Sequence, residues 1–127
     1  MAKQILIIED DDFFMELLSK KVTSGGFEVI EAKNRQEGIE KLKTLKPDLV
    51  LLDLLLPNDD GLDVAGFKVL SKIKEDPATA SIPVIILSNL SQKEDIEKGL
   101  KLGATDFMIK AQFTLEEILE KIKNILK

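Results

Sequence analysis

Five short apolar runs, each closed by polar or turn-forming residues, recur along the chain: Ile5 to Ile8, Glu28 to Ala32, Leu49 to Leu52, Val84 to Leu87 and Phe107 to Ile109. The runs ahead of Glu9, Asp53 and Ser88 are apolar without alternation, the pattern of strands covered on both faces. Between the runs the apolar positions take up helical spacing: Phe14, Leu17, Leu18 and Val22, then Ile39, Leu42 and Leu45, then Ile118, Leu119, Ile122 and Ile125. Asn34 with Glu37, and Thr114 with Glu117, have the spacing at which a cap oxygen and a carboxylate three residues on satisfy each other's free amides. Asp12 is placed as the cap of the first helix and Gly25-Gly26 as its left-handed end. Pro47 and Pro83 stand just ahead of the third and fourth runs, where a missing amide harms no ladder.

Strands alternating with helices predict an α/β fold of (βα)5 type, which right-handed crossovers close into a doubly wound five-stranded parallel sheet. In such sheets the functional crevice lies beyond the carboxyl ends of the strands. Chemistry is therefore expected at the residues just past the runs: Glu9-Asp10-Asp11-Asp12, Asp53, Ser88 and Lys110.

The 127 residues contain no linker, repeat or low-complexity tract, so one domain over residues 1–127 is expected. Cysteine and histidine are both absent. That excludes disulfides, histidine or cysteine metal sites and triad catalysis, and leaves carboxylates, hydroxyls and amines. A net charge of −5 argues against a broad nucleic-acid or anionic-membrane footprint. The start of the chain lacks the pattern of a signal peptide, and no apolar run is long enough to span a bilayer, so a cytoplasmic protein is expected.

Carboxylates gathered a few ångströms apart repel one another by several kcal/mol and demand a cation. A hard divalent ion with oxygen ligands answers that demand, and Mg2+, retaining some of its waters, suits two or three carboxylates. Asp53 then has the setting of a nucleophile toward a phosphoryl group, with Lys110 and Ser88 as donors to the phosphoryl oxygens. Singly, each has a plainer reading: helix-dipole compensation for the acidic run, a turn for Asp53, a cap for Ser88, a solvated charge for Lys110 and ordinary core for Phe107. A structural account does not require all of them at one end of one sheet, and Asp11 alone is left as an exposed helix-start acid.

The segments Ile5-Leu6-Ile7-Ile8-Glu9-Asp10, Pro47 to Asp53 with Pro57 downstream, Ile82 to Ser88, and Gly103 to Lys110 resemble the successive signatures of bacterial response-regulator receiver domains, over essentially the whole chain. The resemblance implies the flavodoxin-like strand order 2-1-3-4-5. It further implies Asp53 as phospho-acceptor, Mg2+ held by Glu9, Asp10, Asp53 and the carbonyl of Leu55, Lys110 and Ser88 at the conserved lysine and hydroxyl positions, and Ser88 with Phe107 as the switch pair. The implied partners are a sensor histidine kinase or histidine phosphotransfer protein upstream, and downstream a protein bound through the helix 4, strand 5 and helix 5 face, or a phosphorylation-dependent dimer. Such a domain is no enzyme beyond its own phosphorylation and dephosphorylation, and with no output domain in the sequence a stand-alone type is expected.

Three departures from the family pattern stand out. About five extra residues fall within Pro57 to Ala65. Ala111 replaces the usual cis proline after the lysine; a cis bond before alanine costs about 2.5 to 4 kcal/mol, so a trans bond and a locally different loop are expected. Asn89 stands where a small residue is usual, and is expected to narrow access or to supply an extra hydrogen bond. Leu55 and Leu90 occupy positions that influence hydrolysis of the acyl phosphate in the family; apolar side chains cannot orient water, so slow autodephosphorylation is expected. Of the rivals, a haloacid-dehalogenase phosphatase lacks its second aspartate at Leu55, and a flavodoxin-like cofactor binder is opposed by the four acids after strand one. A receiver acting as a phosphorylation-independent interaction module is the remaining alternative.

Overall fold

The computed structural model describes residues 2–56 and 65–127. The chain runs β1 (Gln4–Ile8), α1 (Asp12–Ser24), β2 (Glu28–Ala32), α2 (Arg35–Leu45), β3 (Leu49–Leu52), α3 (Ala65–Glu75), β4 (Val84–Ser88), α4 (Lys93–Lys101), β5 (Asp106–Ile109) and α5 (Leu115–Ile125), with a 3-10 turn at Lys110–Gln112 between the last two. The five strands form one parallel sheet in the order β2-β1-β3-β4-β5, as expected. Of the segment Pro57 to Ala65 in which the extra residues fall, all but Ala65 lies outside the described residues.

Alternate side chains of each central strand enter two separate cores. Leu6, Ile8, Val50, Leu52, Val84 and Ile86 join α2 and α3 on one face. Ile5, Ile7, Leu49, Leu51, Ile85 and Leu87 join α1 and α5 on the other. Every one of these twelve residues is at most 3% exposed, which explains why no alternation is visible in the sequence: both faces of β1, β3 and β4 are apolar because both are covered. Each such side chain contributes about 1.5 to 3 kcal/mol by leaving water.

Local signals set the helix ends. Asn34 caps α2 by accepting from the Glu37 amide, and Thr114 with Glu117 forms the full reciprocal box at α5. The cap of α1 is Asp11 rather than Asp12: its carboxylate accepts from the amides of Phe13 and Phe14. Asp12 is instead the first helical residue and pairs with Lys33 at 2.7 Å. Gly26, with φ +94°, supplies the left-handed turn after α1. Lys46 also adopts positive φ, at 43°, where α2 hands over to Pro47. No helix among the described residues is long and apolar enough to cross a membrane.

Candidate functional site

Strand register carries the candidate residues to one place. Ile8 pairs with Leu52, Leu52 with Ile86, and Ser88 with Ile109, so the chain leaves β1, β3, β4 and β5 at neighbouring points on one edge of the sheet. Glu9 and Asp53 extend the ladder beyond their strands, donating backbone N–H groups to Ala32 O at 2.9 Å and Ile8 O at 3.0 Å. Their side chains are held by backbone that is itself held by the sheet.

Asp53 is 5% exposed, and both of its carboxylate oxygens are engaged. Oδ1 accepts from the Ser88 hydroxyl at 2.8 Å and from the Leu55 amide at 3.0 Å. Oδ2 accepts from Lys110 Nζ at 2.9 Å. The same ammonium pairs with Glu9 Oε1, while Glu9 Oε2 accepts from the Asp11 amide at 3.0 Å. Lys110 Nζ also stands 4.5 Å from the centre of the Phe14 ring, within reach of a cation–π attraction. Among the described residues no buried side-chain nitrogen or oxygen lacks a partner, as a polar cluster at the edge of an apolar core requires.

Burial raises the Glu9 carboxyl from its ordinary 4.5 to about 7; the Asp53 charge adds to the rise, and the Lys110 ammonium and Asp11 amide oppose it. For Lys110 burial acts to lower the pKa, but its hydrogen bonds to Glu9 and Asp53 and their charges outweigh burial, so the ammonium titrates above its ordinary range. Lys110 therefore stays charged at neutral pH beside its two acidic partners.

One carboxylate oxygen each from Glu9, Asp10 and Asp53 lies within 4.8 Å of the others. Glu9 and Asp53 are buried and Asp10 opens to solvent. An all-oxygen set of three carboxylates with one solvent-facing member fits a hard divalent cation that keeps part of its hydration shell.

Ser88 is fully buried and Phe107 half-buried. The Phe107 ring packs at the α2–α3 side of the sheet beside Gly99 of α4, where an added Cβ would stand 3.3 Å from the ring and 2.6 Å from Ile86 Cδ1. Among the described residues every peptide bond is trans, including that before Ala111, and the 3-10 turn at Lys110–Gln112 gives the loop its form without disturbing the reach of Lys110 to Asp53. Asn89 Oδ1 accepts from the Ala111 amide at 3.2 Å. Two participants escaped the sequence reading. Phe14 reads there as one more apolar position on the core face of α1, and Asp11 as an idle surface acid; the capping offset of one residue is the only sequence signal for the latter.

A parallel sheet that collects acids from β1 and β3, a hydroxyl from β4 and a lysine from β5 around one buried aspartate defines an aspartate-centred module of the doubly wound α/β class. The model of the response regulator receiver domain family matches residues 5–123, and the chain belongs to that family. It is 34% identical over 128 residues to the chemotaxis protein CheY of Thermotoga maritima, covering 100% of both chains. It is 36% identical over 124 residues to the DNA-binding dual master transcriptional regulator RpaA of Synechocystis sp., covering 98% of this chain and 49% of that protein. The chain thus spans about half the length of several curated relatives it matches. Among solved structures, a CheY-like response regulator receiver domain protein of Methanospirillum hungatei superposes with a TM-score of 0.87 at 26% identity, covering 99% of this chain and 94% of that one.

Proposed function

We propose that the protein is a phosphorylation-controlled signalling switch in which Asp53 accepts a phosphoryl group from a sensor histidine kinase or a histidine phosphotransfer protein. The observation that carries this reading is the convergence of Ser88, the Leu55 amide and Lys110 on the two oxygens of a buried Asp53. An Asp53 oxygen attacks phosphorus, the phosphorus–nitrogen bond of the donor breaks, and the imidazole nitrogen keeps the bonding pair and takes a proton from solvent. Lys110 and Ser88, already aimed at the carboxylate, pass their hydrogen bonds to the phosphoryl oxygens as these arrive. Glu9, Asp10, Asp53 and the Leu55 carbonyl would hold Mg2+, which when bound offsets the charge of acceptor and phosphoryl group.

Transfer of the Ser88 hydrogen bond from Asp53 to the phosphoryl group pulls the loop after β4 toward the site. Phe107 turns inward with it, and the face formed by α4, β5 and α5 changes shape. Output then passes to a protein partner at that face or to dimerisation, without direct contact to nucleic acid or insertion into a membrane, in the cytoplasm. The domain is regulatory and catalyses only its own phosphorylation and dephosphorylation. Leu55 and Leu90 leave hydrolytic water unoriented, so the phosphorylated state is long-lived. The rival reading, an interaction module indifferent to phosphorylation, has no support from a site whose acceptor, lysine and hydroxyl are all engaged.

The test is incubation with acetyl phosphate, with and without MgCl2, followed by intact mass of wild type and Asp53→Asn. A Mg2+-dependent gain of one phosphoryl group, absent in the variant, is expected. No gain in wild type from acetyl phosphate or phosphoramidate, or an equal gain in the variant, would overturn the proposal.

A further inference from the structure

Asn89 and Ala111 depart from the family pattern at two places 22 residues apart, and the structure joins them by a single bond, Asn89 Oδ1 accepting from the Ala111 amide at 3.2 Å. A proline at 111 could not donate that bond, and a residue without a polar side chain at 89 could not accept it. The bond therefore requires both residues as they stand.

The bond lies at a particular point of the fold. The β4–β5 ladder ends where Ser88 pairs with Ile109, and Asn89 with Ala111 adds one rung beyond it, a side-chain amide oxygen serving in place of a backbone carbonyl. The rung also closes a ring around the acceptor. Ser88, adjacent to Asn89, donates to Asp53 Oδ1 at 2.8 Å, and Lys110, adjacent to Ala111, donates to Asp53 Oδ2 at 2.9 Å. The two residues whose side chains hold opposite oxygens of Asp53 thus have their chain neighbours tied to each other by this solvent-facing bond.

We propose that Asn89 is a positioning residue whose side-chain hydrogen bond to the Ala111 amide holds the Lys110 loop against the Ser88 loop and keeps the ammonium over the phospho-acceptor. The proposal rests on the phospho-acceptor reading of Asp53. Among the described residues no other hydrogen bond joins the 3-10 turn at Lys110–Gln112 to the residue after β4, so without the rung Lys110 samples positions away from Asp53. A side chain acting only as a plug at the mouth of the site would have the opposite effect, because removing it would open the approach of the donor.

The experiment uses the full chain as wild type, Asn89→Ala and Asn89→Asp, the last of which keeps an acceptor oxygen. Amide exchange at Ala111 and the Lys110 side-chain nitrogen signal are read by NMR without phosphodonor, and the phosphorylation rate is read by intact mass with acetyl phosphate and MgCl2. In Asn89→Ala the Ala111 amide is expected to lose its protection and the Lys110 signal to move toward that of a solvated lysine. Its phosphorylation is expected to slow by about three- to tenfold, the span of one neutral hydrogen bond. Asn89→Asp is expected to keep both NMR signatures. Unchanged Ala111 exchange in Asn89→Ala, or an Asn89→Ala rate equal to or above wild type, overturns the proposal. If wild type takes no phosphoryl group from any donor, the phospho-acceptor reading fails, and Ala111 exchange together with the Lys110 signal still decides whether the rung positions the lysine.

Discussion

Gly66 offers the sharpest probe of how the fold holds Asp53. The first turn of α3 lies directly on the chain leaving β3: the Gly66 amide donates to Leu54 O at 3.1 Å, and a Cβ added at Gly66 would stand 2.3 Å from Leu54 Cα and 2.6 Å from Asp53 O. Both obstacles are backbone, so no rotamer change relieves them. Restoring even a tight contact of 3.4 Å requires α3 and the Asp53 segment to part by about 1 Å. Overpacking of this kind costs about 1 to 3 kcal/mol. The better helix propensity of alanine returns about 0.5 to 1 kcal/mol at most. A net loss of about 1 kcal/mol in a domain of this size lowers Tm by roughly 3 to 6 °C. A displacement of about 1 Å at the reacting group can also slow transfer by up to about a hundredfold. Gly66→Ala is therefore expected to melt earlier by differential scanning calorimetry and to slow acetyl phosphate labelling of Asp53. An unchanged or higher Tm with an unchanged labelling rate would refute the reasoning.

Four further outcomes are expected from the site and its supports. The folded-state pKa of Glu9, about 7, lies above its ordinary 4.5, so protonated Glu9 stabilises the metal-free fold fully below pH 4.5 and that contribution is lost as pH rises through about 7. Mg2+ needs the carboxylate, so its affinity should rise toward pH 7 and level off above, by titration calorimetry, and Glu9→Gln should abolish the dependence. Lys110→Met leaves two buried acids without their cation, a loss of up to about 3 to 5 kcal/mol in metal-free urea unfolding that millimolar MgCl2 largely restores. Thr114→Ala removes one side of the α5 capping box, in which the Glu117 amide donates to Thr114 Oγ1 at 3.1 Å; about 1 kcal/mol of stability should go, with Asp53 labelling unchanged. Leu55→Asn combined with Leu90→Gln should shorten the half-life of the phosphorylated protein severalfold, measured as loss of the added mass after donor removal.

The strands were legible to within a residue because β1, β3 and β4 are covered on both faces, and a run such as Leu49 to Leu52 admits no other placement between Pro47 and Asp53. The site came with the strands, since a parallel sheet must deliver the residues just beyond Ile8, Leu52, Leu87 and Ile109 to one edge. Finer features were not legible. Asp11 and Asp12 are adjacent acids, and only the backbone angles decide which of them caps. The dual role of Phe14, core on one side and platform for Lys110 on the other, leaves no mark on a helical period. Asn89 and Ala111 are departures with no periodic relation, and their bond emerges only when β4 and β5 are side by side.

The partners of Asp53 come from strands made long after it: Ser88 lies 35 residues downstream and Lys110 lies 57. A chain still being synthesised presents the aspartate without its hydroxyl or its lysine until β4 and then β5 emerge and pair. On the phospho-acceptor reading proposed above, competence to take up a phosphoryl group comes only with the closing strand, and a copy lacking β5 is expected to stay unlabelled by acetyl phosphate.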